Sequence, residues 1–240
     1  MVDRPYAFLE GASRSCIFRG NLTHAARQIR ELYPIAAYDH RPWMSDHEGD
    51  LVKHAMEEYR RGYACFKWAV AKVIQPKTIL EIGVAGGVSA RAFLDGCPVA
   101  RYVGLDNEHD DRQVGFSLVR WTEVMLGECF PGRFTIIIGD SQELEMLPDN
   151  PWDDPVQGKR PFDLIHIDGN HSFEGVKHDM LLALQSGATW ILADDGRDSK
   201  TMGGIMSALS GWHEEPEALD WAYFEDTWSG NILFEREKSR

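Results

Sequence analysis

The chain has 240 residues, 43% hydrophobic and 26% charged, enough for one large core with at most a small appendage. Its formal net charge of −13 gives no electrostatic attraction toward nucleic acid or an anionic membrane, and no stretch approaches the ~18 consecutive apolar residues of a membrane span. Cys16, Cys65, Cys97 and Cys129 are scattered with no C-x-x-C pair, and the first residues carry no apolar signal segment, so reduced thiols in a cytoplasmic protein are expected.

In chain order, Leu22, Ala25, Ala26, Ile29 and Leu32 recur at helical spacing until Pro34 stops the run. Tyr38, His40, Arg41, Trp43 and His47 stand in an irregular polar and aromatic loop suited to a lid or to a plain surface connection. A second helix is predicted from Asp50 to Ile74, with Leu51, His54, Ala55, Tyr59, Ala64, Trp68 and Ala71 near one face and Pro76 beyond its end. Residues 1–75 thus read as an N-terminal helical segment of the same domain, ahead of a core spanning 76–240.

That core alternates short Ile-, Val- and Leu-rich runs with helical patterns. Strands are predicted at Thr78–Ile82, Tyr102–Leu105, Phe134–Ile138, Phe162–Ile167 and Thr189–Ala193, each short enough and apolar enough to be buried on both faces. Helices are predicted at Ser89–Leu94, Gly115–Glu128, Ser141–Leu147 and Phe173–Leu184. Two last strands, Trp221–Phe224 and Gly230–Phe234, are too close in sequence to pair except as an antiparallel hairpin. The fold class is α/β: a Rossmann-like, doubly wound, mostly parallel seven-stranded sheet with a C-terminal antiparallel hairpin and an N-terminal helical segment.

The first strand runs into Gly83-Val-Ala-Gly-Gly87, a turn that lets backbone pass close to a ligand, and the second ends at Asp106, placed to accept from ribose hydroxyls. A dinucleotide site needs G-x-G-x-x-G for its pyrophosphate, whereas this turn is G-x-x-G-G with Glu81 two residues ahead. A carboxylate there repels a pyrophosphate and suits the ammonium of a methionine moiety, directly or through water. S-adenosylmethionine is therefore favoured over NAD, with an NAD-linked oxidoreductase as the competing enzyme class and a non-catalytic nucleoside-binding protein as the competing non-enzyme.

At the neighbouring strand ends stand Asp168-Gly-Asn-His171 and Asp194-Asp195. Adjacent parallel strands deliver these carboxylates to one edge, where their repulsion calls for a counter-charge. Oxygen ligands from Asp168, Asp194 and Asp195 point to Mg²⁺, with Mn²⁺ or Ca²⁺ as alternatives. His166 reads as a buried, hydrogen-bonded histidine, His178 and Asp179 as solvated, and Glu174 as an acid that either assists His171 or simply caps the helix beginning near Phe173. Thr227, Trp228 and Ser229 fall in the last hairpin, where Trp228 either lines the acceptor pocket or simply packs.

The string E-I-G-V-A-G-G, followed by Asp106 and by Ile138-Gly-Asp140-Ser141, resembles the class I S-adenosylmethionine-dependent methyltransferases over roughly residues 77 to 235. That resemblance implies a cofactor pocket formed by Glu81, Gly83, Val84, Ala85, Gly87, Asp106, Asp140, Ser141 and Asp168, with Asp140 near the adenine amino group. The string I-D-G-N-H-S-F-E-G-V-K-H-D with a downstream A-D-D resembles the metal-dependent O-methyltransferases of bacterial secondary metabolism, which act on antibiotic sugars and phenols, and their cephalosporin-hydroxylase-like relatives. It implies Mg²⁺ on Asp168, Asp194 and Asp195 and His171 as general base, because the alternative base position is Asn170 here. The expected function is Mg-dependent O-methylation of a small molecule, with a metal-independent methyltransferase as nearest rival; relatives of this kind often form homo-oligomers.

Overall fold

The computed structural model describes residues 20–35, 50–108, 117–145, 161–212, 219–225, 227 and 229–236, with backbone alone for residues 20, 21, 35 and 50–61. The loop expected at 38–47, Cys16 and Trp228 lie outside these residues. Helices α1 (Gly20–Leu32) and α2 (Asp50–Ile74) precede β1 (Thr78–Ile82), α3 (Val88–Gly96), β2 (Arg101–Asp106), α4 (Leu118–Cys129) and β3 (Phe134–Ile138). Then follow a 3-10 turn (Ser141–Glu143), β4 (Leu164–Ile167), α5 (Phe173–Gln185), β5 (Trp190–Ala193), α6 (Ser199–Gly211), β6 (Leu219–Phe224) and β7 (Asn231–Arg236).

The seven strands lie in the order β3-β2-β1-β4-β5-β7-β6. The first five are parallel, and β7 runs antiparallel to both β5 and β6. The predicted hairpin and sheet are therefore observed, with strand ends shifted by at most two residues. One strand departs from expectation: β3 is half-buried and Ile138 is 55% exposed, because β3 is an edge strand and lacks a neighbour on one side.

Strand parity divides the core into two layers. Ile79, Tyr102, Leu164, Leu192 and Leu233 pack with α1, α2, α3 and α4. Leu80, Val103, Ile165, Ile191, Ile232 and Phe234 face α5 and α6 on the other side. Helix α2 lies between α1, α3 and the sheet, so Tyr63 through Lys67 and Ala69 through Ala71 are buried nearly all round, while Trp68 is only half-buried. An amphipathic stripe had been the expectation; a helix enclosed on several sides has no wet face over these turns.

Helix α6 is absent from the predicted elements. Its sequence, SKTMGGIMSALSG, is rich in Gly and Ser, which lower helix propensity. The glycines serve packing: a Cβ on Gly204 would stand 2.6 Å from the Phe173 carbonyl oxygen, and one on Gly203 would stand 3.1 Å from the Phe173 ring. Asp198 caps the helix, accepting from the backbone N–H of Lys200 and Thr201.

The order of the strands reverses between β1 and β4, the switch point where open α/β sheets bind ligands. Gly83 follows β1 there with φ +89, and a Cβ on it would lie 2.1 Å from the Asp168 carbonyl oxygen. Gly86 has no positive φ, and a Cβ there would meet nothing within 4 Å. Gly83→Ala is expected to cost about 3 kcal/mol or more in chemical denaturation, and Gly86→Ala to stay within about 1 kcal/mol of the parent. Equal effects of the two substitutions would contradict this packing.

Candidate active site

The glycine turn is held from the sheet side. Gly83 donates its N–H to Leu105 O, and Gly87, φ +68, has no room for a Cβ because Thr122 Cγ2 would lie 2.3 Å away. Asp106 Oδ2 accepts from Val84 N at 2.8 Å and Ala85 N at 2.9 Å, and its Oδ1 accepts from Glu108 N at 2.7 Å. Asp106 thus stands at the turn, as its position required, and in the free protein it clamps the turn's own amides. Ala85 takes a left-handed φ of 41, a strained setting for a residue with a Cβ.

Glu81 is placed differently from the expectation of contact with a ligand ammonium. It is fully buried beneath the turn, accepting from Ser89 Oγ and Tyr102 OH, with His166 Nδ1 2.6 Å from its Oε1. Strand parity explains this, since residue 81 shares its face with Ile79 and points into the layer of α2 and α3. His166 is buried, as expected, and its Nε2 has no hydrogen-bond partner.

Asp140 and Ser141 follow β3. Asp140 Oδ1 caps the 3-10 turn through Gln142 N at 2.9 Å, while Ser141 is buried. Only Ser141–Glu143 is helical in this region, in place of the predicted helix from Ser141, whose last residues lie outside those described. His178 and Asp179 are not solvated. His178 Nε2 donates to the carbonyls of Ser141 and Leu144, and Asp179, fully buried, accepts from Gln142 Nε2 at 2.9 Å. The first helical turns of α5 face the 3-10 turn, so its polar residues tie these elements together rather than meeting water.

The acids gather at the ends of β4 and β5. Asp168 N donates to Ile82 O and Asp194 N to Ile167 O, so the sheet bonding continues to the edge where these side chains emerge. Tyr63 OH donates to Asp168 Oδ2 at 2.5 Å. His171 bridges two carboxylates, with Nε2 3.3 Å from Asp168 Oδ1 and Nδ1 3.1 Å from Asp195 Oδ2. Hydrogen bonding to Asp168, helped by the charges of Asp168 and Asp195, outweighs desolvation and raises the His171 pKa to about 9. Burial, then the neighbouring Asp194 and Asp168, push Asp195 up to about 6. Asp195 also holds a left-handed φ of 52.

Asp194 does not join an open set of three carboxylates. Lys67 Nζ, fully buried on α2, lies 2.9 Å from Asp194 Oδ2 and 2.6 Å from Asn231 Oδ1. Asp194 Oδ1 accepts from Asp195 N and Ser229 Oγ. Burial works against its charge, but Lys67 and His166 outweigh that and hold the carboxyl below its ordinary value. Among the described residues, two groups bring ligand atoms within 4.8 Å of one another: His166, Asp168 and Asp194, and Asp168, His171 and Asp195. Tyr63 and Lys67 were missed by sequence reasoning. Their i, i+4 spacing places them on one side of α2, and only knowledge of the layer above β4 and β5 turns that spacing into a site.

Residues 80–195 match a family model described as a methyltransferase domain. These residues, from β1 to the end of β5, form a methyltransferase domain. Its sheet has the architecture of several solved structures. Cofactor-bound Rv0187 from MTB aligns with a TM-score of 0.53 at 20% identity, covering 100% of both chains. S-adenosylhomocysteine-bound PaMTH1 from Podospora anserina gives 0.52 at 16% identity over 99% of each chain. The O-methyltransferase TomG from Streptomyces achromogenes, involved in tomaymycin synthesis, gives 0.53 at 17% identity over 96% of this chain and 95% of its own. At such identities the likeness establishes the fold. No curated protein matches the chain. No helix among the described residues is long and apolar enough to cross a membrane.

Asp179 supplies a test of the contacts beside the 3-10 turn. Burial raises its pKa to about 6 despite opposing bonds from Ser141 and Gln142, and its Oδ2 has no partner. A folded pKa above the unfolded value of 3.8 means that the protonated group's contribution is full below pH 3.8 and is lost as pH rises through about 6. Asp179→Asn removes that loss. Relative to the parent it should gain up to about 3 kcal/mol in urea denaturation between pH 4 and pH 8, and a pH-independent difference would contradict the burial of this carboxyl.

Proposed function

We propose that the chain is an S-adenosylmethionine-dependent O-methyltransferase acting on a hydroxyl of a small natural-product sugar or phenol, with a divalent cation at its acceptor site. The observation that carries this reading is the close approach of Gly83 to Asp168, which puts the glycine turn and the acid group on one ledge of the sheet. TomG and PaMTH1, whose structures hold S-adenosylmethionine and S-adenosylhomocysteine, support the cofactor.

The residues present fit the cofactor. The turn from Gly83 to Gly87 offers bare backbone, and the space beside Gly86 is open. Asp106 is the acid suited to ribose hydroxyls, and Asp140 and Ser141 close the adenine side; Asp168 stands where the two halves meet. When bound, S-adenosylmethionine supplies a methyl group activated by its sulfonium. Glu81 acts from below, holding Ser89, Tyr102 and His166 so that the turn keeps its shape.

A cation also fits the donor set. Burial first, and then the neighbouring Asp194 and Asp168, push Asp195 up to about 6, so a cation beside it would relieve part of that cost. Asp168 and Asp195 would hold Mg²⁺ or Mn²⁺, since such ions commonly take one or two protein carboxylates and keep their remaining positions for water and substrate oxygens. The ion would supply Lewis-acid activation of the acceptor hydroxyl. His171, between the two carboxylates, carries a proton at Nδ1 and at Nε2 in the free protein, and accepts the acceptor's proton once one of these has left. Its imidazolium already neutralises part of the acid group, which favours one alternative, a metal-independent methyltransferase with His171 in the cation's place.

Calorimetry separates these readings. The protein should bind S-adenosylhomocysteine and not NADH, and Asp106→Asn should weaken S-adenosylhomocysteine about tenfold or more, in line with a lost charge-assisted pair of hydrogen bonds. Preference for NADH would overturn the methyltransferase assignment of this pocket. Mn²⁺ added to chelator-treated protein should bind and raise the Tm; absence of binding leaves the metal-independent alternative.

A further inference from the structure

We propose that Lys67 is the resident counter-cation of Asp194, and that this pair withdraws Asp194 from the open site, leaving Asp168 and Asp195 as the carboxylates available to a divalent ion. The second half rests on the metal reading above; the pairing stands on geometry alone.

A buried ammonium needs acceptors for its donors and a negative charge to balance it. Lys67 has both, in Asp194 Oδ2 and Asn231 Oδ1, and its Nζ also lies 4.7 Å from the Tyr63 ring centroid and 5.6 Å from that of Phe66. The partners come from three separate places in the fold. Lys67 and Tyr63 are on α2, Asp194 follows β5, Asn231 opens β7, and Ser229 lies just before it. Parity accounts for the meeting, because Leu192 and Leu233 face the α2 layer and residues 194 and 231 lie in step with them.

Both oxygens of Asp194 are engaged and the residue is 4% exposed. An ion using Asp194 as a ligand would stand beside the Lys67 ammonium and be repelled by it. Asp168 and Asp195 present the opposite case. They are partly exposed, their bridging partner is the exposed His171, and no lysine touches them among the described contacts. Two carboxylates beside a fixed ammonium make a weaker site than three free ones. Such a site leaves coordination positions open, as an acceptor that must enter and leave requires. Lys67 is thus a positioning residue: the N-terminal helix sets the charge of the site without touching the reacting groups.

The test is Mn²⁺ titration of the metal-stripped full chain by electron paramagnetic resonance, with circular dichroism on each variant. Asp195→Asn should weaken Mn²⁺ about thirtyfold or more, Asp194→Asn should stay within about threefold of the parent, and Lys67→Met should tighten binding about tenfold by releasing Asp194. A purely structural lysine would not tighten a metal site. Loss of Mn²⁺ affinity in Asp194→Asn equal to that in Asp195→Asn, or unchanged or weaker affinity in a folded Lys67→Met protein, would overturn the proposal. Lys67→Met leaves a buried carboxylate unpaired and should lower the Tm by about 10 °C, while Lys67→Met/Asp194→Asn should recover several degrees of it. A double variant no more stable than Lys67→Met overturns the pairing. A parent protein that binds no Mn²⁺ defeats the metal reading instead, and the melting comparison still decides whether Lys67 and Asp194 act as a pair.

Discussion

The site depends on one steric fact: the carbonyl of Asp168 occupies the space where a side chain on residue 83 would have to be. Only glycine, with its left-handed φ, lets the turn after β1 close on the end of β4. That closure fastens together the two halves of the switch point. The turn that suits a nucleoside and the strand end that carries the acid group become parts of one rigid edge, continued by the bonds from Asp168 N to Ile82 O and from Asp194 N to Ile167 O.

Such an edge concentrates negative charge, because adjacent parallel strands end side by side. The fold answers with separate devices at separate depths. Beneath the turn, Glu81 is satisfied by two hydroxyls and an imidazole. In the α2 layer, Lys67 balances Asp194. At the opening, His171 stands between Asp168 and Asp195, where it can exchange its charge with solvent. At this edge the buried Glu81 and Asp194 have fixed partners, and the outer pair is the one that a ligand or ion can reach. The left-handed backbone at Ala85 and Asp195, one on each half, shows where this shape strains the chain.

Much of this was legible in the sequence. Short Ile- and Val-rich runs reveal strands buried between two layers, and Gly83, Asp106, Asp168 and Asp195 lie at strand ends that topology alone brings together. What escaped had no local signal. Lys67 and Tyr63 look like ordinary members of a helix until the layer they enter is known. Helix α6 hid behind glycines that its packing on Phe173 demands. His178 and Asp179 are polar letters early in a helix, with nothing nearby to announce that the 3-10 turn covers them. Glu81 lies inside the core, a place that strand parity, available from Ile79 and Leu80 onward, already indicates. Asp194 and Asp195 were read as equivalent neighbours, whereas consecutive residues leaving a strand face opposite ways and meet different partners.

If nucleoside turn and acid group form one working edge, a crystal structure of the protein with S-adenosylhomocysteine and Mn²⁺, using the anomalous signal of manganese, will show both ligands there. The nucleoside should lie along Gly83–Gly87 and Asp106, manganese on Asp168 and Asp195, with Asp194 still held by Lys67. A nucleoside bound away from the glycine turn, or manganese seated elsewhere than on those two carboxylates, would contradict that shared edge.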